Sequence, residues 1–148
     1  MKEIESSAVA ALVRLVGYWT SDDFQGVLAR RAGVDTESRD VPALFMLARL
    51  GPVRPSVCAR ALNVSAGNVS RMVDRLAARG YARRIADPYD ARASLVSLTE
   101  LGTNAAERLN REGERLFTDL LSAWPPGESM MFSAMLVRFA DEVAKQEH

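Results

Sequence analysis

Asn68 and Arg71 stand three residues apart, one turn of a helix, and each can make paired hydrogen bonds to a base edge in a major groove. Asn68 matches adenine in this way and Arg71 matches guanine. Around them, Ala66 and Gly67 are small enough for close approach, and Ser65 and Ser70 suit phosphate contacts. Arg75 follows one turn after Arg71, and a second basic set, Arg83, Arg84 and Arg92, comes soon after. A protruding arginine on a hairpin can enter a narrow minor groove, where negative potential is concentrated. Asp90 would be repelled by phosphate; it suits holding an arginine side chain through a charge-assisted pair, forming a turn, or both.

The charge distribution carries the same signal. Formal net charge is zero, but residues 54–92 hold eight arginines against Asp74, Asp87 and Asp90, for +5. Residues 1–53 sum to −1 and residues 93–148 to −4. A basic block between acidic flanks points to a polyanion-binding segment. On charge alone, a solvated arginine-rich surface fits equally well. The hairpin arginines that follow the helix favour the polyanion.

These side chains need elements to position them. Apolar residues Ala8, Ala11, Leu12, Leu15, Val16 and Trp19 recur at helical spacing, predicting a helix from Ser7 to about Ala32, followed by a polar loop. Asp40 is expected to cap a second helix, Val41–Leu50, with Pro42 in its first turn and Gly51-Pro52 as its stop. Pro55 opens a third helix to about Leu62. Asn63-Val64 turns, and Ser65 caps a fourth helix that ends at Gly80. On that helix Val69, Met72, Val73 and Leu76 share an inward face, so Gly67, Arg71 and Asp74 lie opposite, flanked by Asn68, Ser70 and Arg75.

Arg84–Ala86 and Leu95–Leu98 have strand character and are joined by the turn formers of residues 87–92, predicting a β-hairpin. Thr99 caps a fifth helix to about Ala123. A last helix from near Glu128 carries the stripe Phe132, Met135, Leu136, Phe139 and Val143. Such a stripe is too apolar to leave exposed; it can pack within its own subunit, but Phe139 and Val143, near the chain end, fit a partner subunit better.

Within Gly51–Gly102 the text resembles the MarR (multiple antibiotic resistance regulator) family. The matching stretches are Leu62-Asn63-Val64-Ser65, Val69-Ser70-Arg71-Met72-Val73-Asp74-Arg75-Leu76 and Arg79-Gly80-Tyr81. They continue through Arg84, Asp87-Pro88-Tyr89-Asp90-Ala91-Arg92-Ala93 and Val96-Ser97-Leu98-Thr99-Glu100-Leu101-Gly102. An aspartate–arginine wing followed by Leu-Thr-Glu-Leu-Gly is far harder to match by chance than a helix-turn-helix pattern alone.

The resemblance implies a mainly α fold with a small β-hairpin wing, a winged helix-turn-helix joined to a helical dimerisation region. It implies an obligate homodimer, with residues 1–34 and 124–148 as dimerisation helices and 54–98 as the DNA-binding region of a single domain, 1–148. Ser65, Gly67, Asn68, Ser70, Arg71 and Arg75 would belong to the recognition helix, and Arg84, Asp90 and Arg92 to the wing. The expected partner is a pseudo-palindromic double-stranded operator, the expected role repression of transcription, and the expected effector a small phenolic or aromatic acid. Two positions depart from the family pattern: Gly67 stands where a polar residue is common, and Ala82 replaces a larger aliphatic residue.

Other classes fit less well. The only histidine is His148, so a histidine-based triad or general base is not expected, and no phosphate-binding glycine loop or His-Glu-x-x-His is present. One Cys and one His are too few for a metal sensor, and neither metal nor cofactor is expected. The single Cys58 cannot form an internal disulfide, and it reads as a small packing residue. The acidic Met1–Glu5 segment is unlike a signal peptide, and no apolar run is long enough to span a membrane, so the expected location is cytoplasmic. Two binding classes stay open here: a winged helix used for protein contact, and a chromosome architectural protein indifferent to sequence.

Overall fold

A computed structural model describes residues 7–145. The elements are α1 (Ala8–Trp19), α2 (Asp22–Arg31), a 3-10 turn (Ser38–Asp40), α3 (Val41–Leu50), α4 (Pro55–Leu62), α5 (Ala66–Ala78), β1 (Ala82–Asp87), β2 (Asp90–Leu98), α6 (Glu100–Leu121) and α7 (Pro126–Lys145). This is the mainly α architecture with a hairpin wing. Two compact units result, Met1–Glu112 and Gly113–His148.

The core of the first unit is built from one face of each of α2 to α6 and of the hairpin. Leu28 of α2, Leu44 and Leu47 of α3, Cys58 of α4, Val69, Val73 and Leu76 of α5, Val96 of β2 and Leu109 of α6 are all essentially inaccessible to solvent. In the second unit, Phe132 lies 6.2 Å from Phe117 and 5.3 Å from Trp124, ring centre to ring centre. Neither α1 nor α7 has a buried residue.

The predicted helix from Ser7 to Ala32 is broken at Thr20-Ser21. Ser21 is extended, and its hydroxyl accepts the Phe24 N–H at 3.2 Å, starting a new helix whose first turn holds Asp22 and Asp23. A capping serine followed by acids at the positive end of a helix dipole outweighs continuation of the old helix. Asp40 also departs from expectation. It has helical backbone angles and makes no side-chain cap, because the 3-10 turn runs directly into α3.

The joint between α4 and α5 follows the expected chemistry. Asn63 takes the left-handed conformation, φ 51°, and Ser65 Oγ accepts the Asn68 N–H at 3.3 Å. Gly80, φ 77°, ends the next helical stretch, and Tyr81 N–H returns to the Leu76 carbonyl at 2.8 Å. The strands are longer than the sequence suggests, leaving only Pro88-Tyr89 between them. The pairing jumps from Ala86↔Ser94 to Asp87↔Asp90, so Ala91, Arg92 and Ala93 form a bulge on β2. Polar turn formers concealed these paired residues. Val53 adds one antiparallel bridge to Val96, with bonds of 3.1 and 2.8 Å, and anchors the hairpin to the segment before α4.

Thr99 starts α6. Its hydroxyl accepts the Gly102 N–H at 3.0 Å, and its own N–H donates to the Tyr81 carbonyl at 3.0 Å. This seats the first turn of α6 on the backbone at the base of the wing. A Cβ on Gly102 would lie 1.9 Å from the Tyr81 carbonyl oxygen. Main chain cannot yield cheaply, so Gly102→Ala should cost on the order of 3 kcal/mol and lower Tm by roughly 5–10 °C. A thermal melt matching the parent would show that this contact can relax freely.

Candidate nucleic-acid interface

Helix α5 divides into two faces. Val69, Met72, Val73 and Leu76 are buried, whereas Ser65, Gly67, Asn68, Ser70 and Arg71 are all exposed around its first two turns. Nothing lies within 4 Å of where a Gly67 Cβ would sit, so the helix start is open to close approach. Arg71 Nη2 donates to Asn68 Oδ1 at 2.6 Å. The two side chains of base-reading type are therefore presented together, and Asn68 must exchange this bond to use its oxygen on adenine. The Ser65 hydroxyl already serves as the helix cap.

Arg75 is placed differently from its expected position on the outer face. Its Nε and Nη2 donate to the two carboxylate oxygens of Asp40 at 2.8 and 2.6 Å, and Glu37 lies 3.7 Å away. Asp40 is only 1% exposed, so this forked pair satisfies a buried charge. The Asp40 hydrogen bond raises the Arg75 pKa further above its ordinary value. Arg75 thus ties α5 to the start of α3. Its charge faces a partner 35 positions earlier, a separation that local pattern cannot reveal.

The wing has a second ionic tie. Arg54, just before α4, donates through Nε to Asp87 Oδ2 at 2.8 Å, with Nη2 at 2.7 Å from the same oxygen and 3.7 Å from Asp90. Asp87 is buried at the tip of β1, and its other oxygen accepts the Tyr89 N–H at 2.9 Å. Asp90 Oδ1 accepts the Arg92 N–H at 3.0 Å. The arginine that approaches Asp90 is therefore Arg54. In the sequence Arg54 belongs to the basic block and Asp87 to the turn formers, and an arginine beside a helix-opening proline and an Asp-Pro turn are the local signals of their pairing. Arg83, Arg84 and Arg92 remain exposed on the hairpin, with Arg84 Nη2 3.6 Å from Asp74.

On another part of this unit, a cleft of about 950 Å³ is lined by Phe45, Met46, Leu62 and Leu98, with Arg49 and Arg111 also in its wall. Cys58 is fully buried in α4, and burial pushes its thiol pKa up, the reverse of what a reactive thiol requires. No helix among the described residues is long and apolar enough to cross a membrane.

A capped helix-turn-helix followed by an antiparallel hairpin defines a winged helix-turn-helix protein. Residues 34–93 match the model of the MarR family. The chain is 31% identical over 88 residues to the multiple antibiotic resistance protein MarR of Salmonella typhimurium, covering 59% of this chain and 61% of that protein. It is 28% identical over 95 residues to the uncharacterized HTH-type transcriptional regulator YxaD of Bacillus subtilis, covering 64% of this chain and 66% of that one. The matched region thus spans slightly less than two thirds of these relatives. The fold is similar to the solved structure of a MarR family protein from Bacillus stearothermophilus, with a TM-score of 0.76, 18% identity, and 97% and 99% of the two chains covered. The likeness to the MarR family is thus carried by residues 34–93, and the solved structures extend it to the fold of the whole described chain.

The wing tie has a pH signature. The Tyr89 N–H, and after it Arg54, hold the Asp87 carboxyl below the ordinary aspartate value of 3.8. A carboxyl depressed by folding stabilises the fold above its unfolded pKa and loses that contribution as pH falls through its folded pKa. Asp87→Asn should therefore melt below the parent at neutral pH, by a margin that is steady down to about pH 5. The margin should narrow below pH 3.8. An unchanging margin down to about pH 2 would show that the charge of Asp87 contributes nothing.

Proposed function

We propose that the chain is a homodimeric, sequence-specific DNA-binding regulator that represses transcription from a pseudo-palindromic site. The observation that carries this reading is the exposure of Asn68 and Arg71 on the outer face of α5, beside a hairpin that exposes Arg83, Arg84 and Arg92. A major groove admits one helix, and a β-hairpin can reach the adjacent minor groove. Ser65, Gly67 and Ser70 leave the helix start low and polar, suiting approach to the phosphates. Asp90 orients the wing, and Arg75 orients the helix from behind. Two such modules would meet half-sites about one helical turn apart.

Dimerisation is supported by apolar surface that one chain leaves in water. In α7, Met130, Met131, Met135, Val137, Phe139 and Val143 are between 48% and 71% exposed, and in α1 Val9 and Val13 are exposed by 71% and 65%. Large apolar side chains left exposed in such number on each of the two helices suit burial in an interface. The effector would be a small aromatic acid, its ring against Phe45 and Met46 and its carboxylate drawn to Arg49 or Arg111 in the 950 Å³ cleft. Its binding would release the operator. The expected setting is the cytoplasm, and the chain acts by binding rather than by catalysis.

Selection of duplexes from a random pool, with and without phenolic acids, tests specificity and release together. On a selected duplex, Arg71→Ala should cost about 1–3 kcal/mol and relax preference at one position per half-site, whereas Arg92→Ala should flatten the salt slope by about one unit per half-site. Equal weakening of selected and random DNA by Arg71→Ala would remove its base-reading role.

The double variant Met135→Glu, Phe139→Glu should run as a monomer in sedimentation while the parent runs at twice the chain mass. A parent that stays monomeric at micromolar concentration would contradict the dimer.

A further inference from the structure

The most solvent-exposed large hydrophobic side chain of the wing is an aromatic one. Tyr89 is 96% exposed at the hairpin tip, next to exposed Pro88. An isolated exposed apolar residue needs no explanation. This one, however, is held in place: its own N–H is bonded to buried Asp87, which is clamped by Arg54, while Asp90 holds the return strand through the Arg92 N–H. The tip also lacks a free carboxylate. Both oxygens of Asp87 are engaged, and Asp90 has one oxygen on the Arg92 N–H and the other 3.7 Å from Arg54. The bulge at Ala91–Ala93 places exposed Arg92 three residues from Tyr89. A braced Pro-Tyr point beside exposed Arg92, on a hairpin that also exposes Arg83, fits a polyanion that offers an apolar recess.

We propose that Pro88-Tyr89 is an apolar wedge that enters the DNA minor groove and selects a deformable pyrimidine–purine step beneath it; this rests on the DNA-binding reading above. Minor-groove proteins insert apolar side chains between base pairs, and TA and CA steps unstack most readily. The reach is sufficient. Six strand residues at about 3.3 Å each carry the tip roughly 20 Å beyond the buried strand start, comparable to half of a helical turn of about 34–36 Å. Two side-chain bonds to the turn have already ordered it, so insertion costs little further conformational freedom. The tyrosine hydroxyl has no part in the wedge.

The experiment compares the parent, Tyr89→Ala, Tyr89→Phe and Arg71→Ala on a duplex selected by the parent from random DNA, and on the same duplex with each outer pyrimidine–purine step replaced by AA. Tyr89 is so exposed that its variants should fold normally. On the selected duplex Tyr89→Ala should bind about tenfold more weakly, the loss expected for one aromatic–base contact, while Tyr89→Phe stays within about twofold of the parent. On the AA duplex the parent should already be weakened and Tyr89→Ala should add little.

Permanganate, which oxidises unstacked thymine, should mark the step under the wing with the parent and Tyr89→Phe at saturation, but not with Tyr89→Ala. If Tyr89→Ala matches the parent on both duplexes, or weakens both equally, or if no thymine becomes reactive, the wedge is overturned. Arg71→Ala separates the two levels: its loss of affinity in the same assay leaves the DNA-binding reading standing when the wedge fails. A parent that retains no duplex overturns both.

Discussion

Burial of Val69, Met72, Val73 and Leu76 forces the opposite face of α5 into solvent, and the rest of the site is arranged around that outward face. Four apolar side chains at helical spacing each stabilise the fold by roughly 1.5–3 kcal/mol when removed from water, enough to define the rotation of the helix about its axis. Asn68 and Arg71 then have no alternative to exposure. Rotation alone leaves the helix free to tilt. The fork from Arg75 to buried Asp40 constrains that remaining freedom, because separating the pair would leave a charge in the core.

The wing is governed by a parallel arrangement. The hairpin has only two full strands, and an isolated ribbon of that kind is marginal in water. It is held by the Val53–Val96 bridge at its base, by Arg54 on Asp87 near its tip, and by the close seating of Gly102 on Tyr81. Each tie runs to the segment just before α4 or to α6. The hairpin arginines are consequently carried on a braced element, and the bulge displaces Arg92 from the regular ladder. Such bracing suits the groove binding proposed for this surface, since ordering already achieved in the free protein need not be supplied on binding.

The charged residues therefore divide by partner rather than by position. Arg54 and Arg75 have buried aspartates and hold elements together; Arg71, Arg83 and Arg92 are exposed along the outer edge. An arginine block of uniform appearance in the sequence contains both kinds. Of the three acids in residues 54–92, Asp87 and Asp90 face Arg54 and Asp74 faces Arg84, so the positive excess of the segment falls on its other arginines. The same logic separates Cys58, buried and raised in pKa, from a reactive thiol.

Local chemistry was sufficient for much of this. Spacing and caps alone located α3 to within its bounds, the Asn63 turn, the Ser65 cap, the Gly80 terminator and the Thr99 start, because each depends on residues within about four positions of one another. The motif from Leu62 to Gly102 also pointed to the family whose model matches residues 34–93. The break at Ser21 was missed because apolar period masked a second cap, and the strand ends were missed because their residues look like turn formers. Which arginines hold the protein together was decided by the folded chain alone. Arg54–Asp87 and Arg75–Asp40 join residues 33 and 35 positions apart, and only tertiary packing brings such charges together or removes the water that would otherwise screen them.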